Sequence, residues 1–554
     1  QCDCIVLDEF KQIIEHITQG TFSNRSEGLY LLVEIIKSVP VAYIADADMN
    51  DRTLDVLKTI GRPMFHIKGD ERKPTAKIKH TTRKIAKSEL IRNVEKGNRG
   101  IFQCDGGPTA ETAFKDAKNS APAGYKILLV HRKNKDEPEQ SAYLKSPNEV
   151  GKQYDLIILT PVVSSGFSIE LDYDFHIGIF SGVLSPTEII QTLGRSRRSK
   201  QIILGLDVKR KQKPLTTAEQ LTGIATAEGR FKWVGGSLVH KPNAFDLVAA
   251  AAIEEREKSC QLFAQTTLLI LMQKGYPVEE LAEPDKIINI KGTSKLVKME
   301  HTLRVLSSDD INADERKRLQ LADKVLESEH FAIEKHDCKN QLALEGEPLE
   351  GDVFLWDRGK IAPALKRFEI VTAQADDVDR LDKYEAKTMK PAKDKAYAKS
   401  QNIIFSTVMK ILQGKTLEAT ESLKTQADEQ CITKETPHVP AFPVNTGLSL
   451  KRYDSDKITA AIDYLRNHYA EAHAAGLGNF KSIGRQYDAR TLGYFLKRFG
   501  LNHEAVGDKN NRKYQITEES LLMMQGITHR RQMNHISAFN QSNEWQKNAE
   551  QKVA

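Results

Sequence analysis

Paired cysteines are missing from this 554-residue chain. The six cysteines stand at Cys2, Cys4, Cys104, Cys260, Cys338 and Cys431, with no CxxC among them. Neither a zinc ribbon nor a disulfide framework is indicated, and a reduced compartment fits. Long apolar runs are missing too. LLILM, Leu268 to Met272, is far too short to cross a bilayer. A cytoplasmic protein without a membrane partner is therefore expected. There is no internal repeat, which excludes a solenoid. His468 and His473 are five apart rather than the four that align metal ligands on one helix face. No stretch interleaves aromatic and basic residues in the manner of a single-strand-binding stripe. Charge of one sign is scarce as well: the net +6 permits a polyanionic partner without demanding one.

What is present is an ordinary globular composition, 40% hydrophobic and 28% charged, at a length sufficient for three or four cores. The first two hundred residues alternate short apolar runs with helical segments. CIVLDEF, VAYIADAD and MFHIKG read as strands, with helices at FKQIIEHI, carrying Ile13, Ile14 and Ile17, and at DRTLDVLKTIG, closed by Gly61. A basic stretch from Lys77 to Gly97 interrupts the alternation. It resumes with GIFQCDGG, TAETAFKDA, YKILLVHR, YDLIILT and FHIGIFSG. Apolar runs buried on both faces and separated by helices predict parallel sheets, two of them, with the break near residues 68 to 90. Helical patterning dominates from about residue 210 to 340. The lysine-rich stretch at 380–400 reads as a solvated face or linker, TPHVPAFPVNTG at 436–447 as a linker, and the last residues as a polar, frayed tail.

The most informative stretch is SPTEIIQTLGRSRR, Ser185 to Arg198. Ser185 suits the N-cap, Pro186 the first helical position, and Glu188 completes a capping box. Helical spacing directs Gln191, Arg195 and Arg198 to one face and leaves Ile189 and Leu193 to pack on a sheet. Such a face suits an anion; a solvated basic helix is the plainer reading. Upstream, the strand YDLIILT ends at Thr160, followed by Gly166 and Ser168, where parallel sheets bind ligands.

In order, the Asp8-Glu9 pair, the ADAD of Ala45 to Asp48, T-x-x-x-x-x-G and Q-x-x-G-R-x-x-R resemble motifs II, III, V and VI of superfamily 2 helicases. LDEF and TPVVSSGFSIE resemble most the branch of herpesvirus-type origin-binding helicases and plasmid replication proteins. The resemblance covers roughly residues 1 to 210. It implies an α/β chain of RecA-like domains followed by mainly helical domains. It further implies that Asp8 holds Mg²⁺ on ATP, that Glu9 orients or deprotonates the attacking water, and that Arg195 and Arg198 are arginine fingers. Gln191 would contact the nucleotide, Asp46 would couple hydrolysis to domain movement, and Thr160, Gly166 and Ser168 would link the cleft to the nucleic acid. Family members commonly carry Asp where Ser168 stands.

A phosphate-binding loop should precede such an Asp-Glu pair. The GKT at Gly414 to Thr416 is not one, because Met409 occupies the place of its first glycine and MKILQGKTLEA reads as helix. The chain is therefore expected to be the C-terminal part of a helicase, with the first RecA-like domain cut at its front. The expected domains are 1–75 and 76–210 (RecA-like), 211–340 (helical), 341–450 (helical and linker), 451–526 and a tail at 527–554.

Within 451–526, SDKITAAIDYLRNHYAEAHAAG reads as one helix, NFKSIGRQYD as a second, and DARTLGYFLKRFGL as a third, capped by Asp488 and stopped by Gly500. HEAVGDKNNRKYQI reads as a hairpin. This order resembles a winged helix, in which Arg490, Lys497 and Arg498 would meet DNA, with Lys509, Arg512 and Lys513 on the wing. A helical protein-interaction domain is the plainer alternative. The leading expectation is an ATP-dependent DNA helicase or translocase in replication initiation of a plasmid, phage or mobile element, working with DNA and other replication proteins. A non-catalytic DNA-binding or scaffold protein that keeps a helicase-like domain is the alternative.

Overall fold

The computed structural model describes residues 3–19, 25–46, 49, 51–65, 67, 74, 76–162, 167–208, 213–228, 232–234, 237–239, 242, 244–288, 292–373, 378, 397–414, 452–481, 484, 487–507 and 512–534. The chain divides into two compact units, one of residues 1–13, 36–214 and 255–337, the other of 14–35, 215–254 and 338–554. No described helix is long and apolar enough to cross a membrane.

The strands, in chain order, are β1 Cys4–Asp8, β2 Val41–Ala45, β3 Lys77–Thr82, β4 Gly100–Cys104, β5 Ile127–Val130, β6 Leu156–Leu159, β7 Phe175–Phe180, β8 Gln201–Leu206, β9 Lys232–Val234, β10 Ser237–Val239, β11 Val278–Glu280, β12 His503–Val506 and β13 Lys513–Ile516. The first helices in chain order are α1 Phe10–Gln19 and α2 Arg25–Ser38, each divided between the two units, followed in the first unit by α3 Asp51–Thr59, α4 Arg83–Glu95, α5 Gly107–Ser120, α6 Pro138–Lys145, α7 Pro147–Val150 and α8 Pro186–Gly194.

The first unit is α/β. Its main sheet has seven parallel strands in the order β11-β3-β8-β7-β4-β6-β5. Period-two alternation sorts its side chains. Phe102, Cys104, Ile158, Ile177 and Ile179 meet α4 and α5 on one face, while Ile101, Ile157 and Leu159 fill the other. Ile189 and Leu193 of α8 are buried against Phe180 and Leu204, as their spacing predicts. Gly178 makes room for that contact: a Cβ there would lie 2.7 Å from the Phe180 ring and 3.1 Å from Leu193. A separate two-stranded parallel sheet pairs β1 with β2, with Asp8 opposite Ala45. One of its faces is open, with Val6 68% and Tyr43 62% exposed.

Several expectations change. No strand forms among the described residues of MFHIKG: Met64, Phe65 and Ile67 lie outside any regular element, and Phe65 is 94% exposed, while His66, Lys68 and Gly69 lie outside the described residues. The basic stretch taken as an interruption is instead β3 and α4 of the main sheet. Ile78 is fully buried while its lysine neighbours lie at the surface, and Thr82 caps α4 through Ile85 N–H at 3.4 Å. Strand formation also continues past residue 210, since β11 closes one edge of the sheet.

The second unit is mainly helical. Helices Thr217–Glu228 and Tyr469–Ala474 touch so closely that a Cβ on Gly223 would sit 2.2 Å from the Ala470 carbonyl oxygen. Helices Ala398–Leu412 and Asp488–Lys497 share a ring cluster of Phe405, Phe495 and Phe499. The helix read as continuous from Ser455 to Gly476 breaks at His468 into Ser455–Asn467 and Tyr469–Ala474. No α-helix forms among the described residues of NFKSIGRQYD before Asp488; Ser482, Ile483, Arg485 and Gln486 lie outside them. Asp488 is the first helical residue rather than the cap, and its buried carboxylate pairs with Arg466. Gly500 does end the segment, at φ +73°. The hairpin β12–β13 forms as expected, and Tyr453 bridges to Tyr514 with two backbone bonds of 2.8 Å. The expected tail begins inside a helix at 518–534, where Ile527 and Thr528 are buried and Arg530 donates to the Leu342 and Ala343 carbonyls. The lysine-rich stretch up to residue 396, the proline linker and residues 535–554 lie outside the described residues.

Candidate active site

Two carboxylates arise at the C-terminal ends of adjacent parallel strands, the usual place for a ligand site in an α/β sheet. Asp8 ends β1 and is exposed; its Oδ1 accepts the Glu9 N–H at 3.1 Å. Asp46 follows β2, and its Oδ2 accepts the Lys11 N–H at 2.6 Å, placing negative charge at the N-terminus of α1. Between them Glu9 adopts φ +56°, a left-handed conformation that costs an L-residue roughly 1–2 kcal/mol. That turn redirects the chain from β1 into α1.

The Glu9 side chain meets α8. Its Oε2 accepts from Gln12 Nε2 at 2.8 Å and from Gln191 Nε2 at 3.2 Å, while Gln12 Nε2 also donates to Gln191 Oε1 at 2.7 Å. Burial raises the Glu9 pKa above the usual carboxylate range; the charges of Asp46 and Asp8 add to the rise, and Arg195 and Gln191 oppose it. A carboxyl held back from ionisation beside a guanidinium is the setting of a proton-accepting group.

Of the residues singled out in the sequence, Asp8, Glu9, Asp46, Gln191 and Arg195 are brought together. Arg198 is not among them. α8 ends at Gly194, so Arg195 and Arg198 do not continue one helical face. The chain instead bridges Ser196 to Ile169, with Ile169 N donating to Arg195 O at 2.8 Å and Arg197 N to Ile169 O at 3.0 Å. Arg195 Nη1 donates to the Phe167 carbonyl at 3.3 Å, and exposed Arg198 pairs with Asp172 at 3.3 Å. The Ser185–Glu188 capping box and the N1 proline form as read. Thr160 is buried directly after β6, and the Ser168 hydroxyl is buried with no hydrogen-bond partner among the described residues. Gly166 lies outside the described residues.

Two buried polar constellations escaped sequence reading. Asp105, just after β4, accepts from Ser181 N at 2.7 Å, Val183 N at 3.1 Å and the Ser181 hydroxyl at 3.1 Å, tying down the loop from β7 into α8. The aspartate after the apolar GIFQC was its only sequence signal. His176, the second residue of β7, bonds Gln103 Oε1 through Nε2 at 2.8 Å and the Ser199 hydroxyl through Nδ1 at 2.9 Å. Gln103 Nε2 donates to Thr192 O at 3.0 Å, and Ser199 Oγ reaches Ser196 Oγ at 3.0 Å. The network thus grips the chain on both sides of Arg195.

In the second unit, Arg490, Lys497 and Arg498 are exposed on or just after helix Asp488–Lys497. Tyr494 on that helix is 57% exposed, and the Arg490 guanidinium lies 5.7 Å from its ring. Read linearly the sequence shows no aromatic-basic stripe, but the helical repeat brings Arg490 and Tyr494 together here.

Magnesium is commonly held by one or two carboxylates together with substrate phosphates and water. Asp8 beside Glu9 fits that mode. No cluster of three or more His, Cys, Asp or Glu able to hold a metal alone occurs among the described residues. The GKT at Gly414 follows helix Ala398–Leu412 directly, not a strand, with Lys415 and Thr416 outside the described residues.

No family model and no curated protein matches the chain. Among solved structures, the DEAD-box helicase Dbp5 of S. cerevisiae, a variant bound to a Gle1 variant and IP6, is a weak neighbour. The identity is 14% and the TM-score 0.27, over 37% of this chain and 52% of that one. The chain spans about half the length of that structure, and a likeness at this score carries no weight for fold or activity.

Proposed function

We propose that the first unit carries the carboxylate and arginine sides of an ATP-hydrolysing cleft built on RecA-like domains, and that the protein is a superfamily 2 DNA helicase or translocase. The observation that carries this reading is Glu9: it meets Gln191 from a distant motif and feels the charge of Arg195, as a motif II–motif VI junction requires. Asp8 would hold Mg²⁺, which when bound neutralises charge on the nucleotide phosphates. Glu9 would accept the proton of the attacking water, its raised pKa keeping it a usable base. Gln191 and Gln12 fix its carboxylate. Arg195 would stabilise charge that develops on the transferring phosphoryl group, an effect worth about 10³ to 10⁵ in rate for an arginine finger. Asp46, bound to the start of α1, would couple cleft and helix.

On this reading the exposed basic face of helix Asp488–Lys497, with the β12–β13 hairpin beside it in sequence, works as a winged helix on DNA. The role follows the sequence resemblance: replication initiation of a plasmid, phage or mobile element, in the origin-binding branch. The test is DNA-stimulated ATP turnover when a phosphate-binding loop is supplied ahead of Gln1, with and without Glu9→Gln. Turnover abolished by the substitution supports the reading. DNA binding without turnover in any such chain favours a scaffold.

A further inference from the structure

Residues 167–173, between β6 and β7, reach the chain of Arg195 through one residue. Ile169 is fully buried, and its own N–H and C=O make both bonds of a parallel bridge: the N–H donates to Arg195 O at 2.8 Å, and the carbonyl accepts from Arg197 N at 3.0 Å. Successive peptide groups of an extended chain point to opposite edges, so the flanking Ser168 carbonyl and Glu170 N–H face the other way. That second edge is closed by a side chain. Asn148 Nδ2 donates to Ser168 O at 3.2 Å, and Asn148 Oδ1 accepts from Glu170 N at 2.6 Å. A carboxamide has a donor end and an acceptor end, so it completes the ladder as a neighbouring peptide would. The two partners also fix which end of the amide faces which.

Asn148 is itself held. Ser146 and Pro147 open the single turn α7, where Glu149 N and Val150 N donate to the Ser146 carbonyl at 3.2 and 3.0 Å. Gly151, directly after α7, is buried, and a Cβ there would lie 2.9 Å from Leu171 Cδ1 and 3.3 Å from Ile157 Cδ1. The turn that carries Asn148 therefore lies against the segment it clamps. That segment holds Arg195 twice: by main chain through Ile169, and by side chain through the Phe167 carbonyl, which accepts from Arg195 Nη1 at 3.3 Å. We propose that Asn148 is a positioning residue for Arg195. By clamping the chain on both sides of Ile169 it sets the place from which the guanidinium acts in hydrolysis. The proposal rests on the cleft reading above. A catalytic group misplaced by about 1 Å can cost ~100-fold in rate.

Two measurements test it. Amide exchange on the 554-residue chain reads the clamp, and ATP turnover with a phosphate-binding loop supplied ahead of Gln1 reads its effect. Asn148→Ala should speed exchange at Ile169, Glu170 and Arg197 roughly tenfold or more. Exchange at Phe102 in β4 checks the fold and should not change. Turnover should fall about tenfold to a hundredfold while ATP affinity stays within a few-fold, because an arginine finger acts on the transition state. Asn148→Asp, which keeps the size and loses the donor, should impair exchange and turnover in the same direction. Glu149→Ala, an exposed neighbour, should alter neither. Unchanged exchange at Ile169 and Arg197 in both Asn148 variants would overturn the proposal. So would turnover that survives Asn148→Ala while Arg195→Ala abolishes it, or affinity and turnover that fall together; these outcomes leave the cleft reading standing. Turnover absent from the wild type, or indifferent to Arg195→Ala, defeats the cleft reading and this proposal with it.

Discussion

His176 should make the main sheet acid-sensitive. Burial lowers its pKa from 6.5 to about 3, so the folded imidazole stays neutral where the unfolded one takes up a proton. The unfolded state therefore binds more protons between those values, and stability is full above the unfolded pKa and falls as pH drops toward the folded one. The slope for one such group is about 1.4 kcal/mol per pH unit. From neutral pH to a pH of about 4.5 the loss is roughly 2.5 kcal/mol. His176→Gln removes the titration while keeping a donor and an acceptor near Gln103 and Ser199. Hydrogen exchange of the amides of Phe102, Ile177 and Ile179, corrected for intrinsic rates, reports the local stability of β4 and β7. Carboxylate titrations act on both proteins alike, so the difference between them isolates His176. Parallel pH dependence in wild type and variant would refute the reasoning.

Glu9→Gln should raise the melting temperature at neutral pH. The folded state favours the protonated carboxyl, so its stabilisation is present at low pH and lost as pH rises through the raised value; glutamine escapes that loss. A melting curve no higher for the variant at neutral pH, or a gap that widens at acidic pH, contradicts this. The 554 residues alone should hydrolyse ATP at background rates, since no GxxxxGK[ST] occurs among them to cradle the phosphates. Malachite-green assay with and without DNA checks it. For duplex DNA binding, replacing Lys497 and Arg498 by alanine should reduce the salt slope of log K by roughly 0.9 per lost phosphate contact. Arg490→Ala should cost roughly 1–3 kcal/mol, mainly on a preferred site. Fluorescence anisotropy at several salt concentrations reads both, and an unchanged slope counts against the surface.

Much of the first unit was legible because its signals are local. Apolar runs such as LIIL and FHIGIF announce buried parallel strands, and Ser185-Pro186 and Glu188 fix the start of α8. β3 was not legible, because KIKHTT buries Ile78 while its lysines reach the surface, and charge hides the strand. MFHIKG misled in the opposite sense: its apolar residues satisfy the strand pattern, yet the described ones, Met64, Phe65 and Ile67, form no strand. The site divides in the same way. That Asp8 and Glu9 stand at the end of a strand and Gln191 on a capped helix could be read from the local pattern. The end of α8 could not, because a non-local bridge from Ser196 to Ile169 stops the helix before Arg198. Nor could the contact of Arg490 with the Tyr494 ring, which only the rotation of the helix assembles.

The most direct measurement is ATP turnover by a chain that supplies a phosphate-binding loop ahead of Gln1, compared for wild type, Arg195→Ala and Arg198→Ala. The geometry predicts that Arg195→Ala lowers DNA-stimulated turnover by about 10³ or more while nucleotide affinity stays within a few-fold. Arg198→Ala, whose guanidinium pairs with Asp172, should lose much less. Turnover that survives Arg195→Ala, or affinity and turnover that fall together, would contradict the assignment of Glu9 and Arg195 to one hydrolytic cleft.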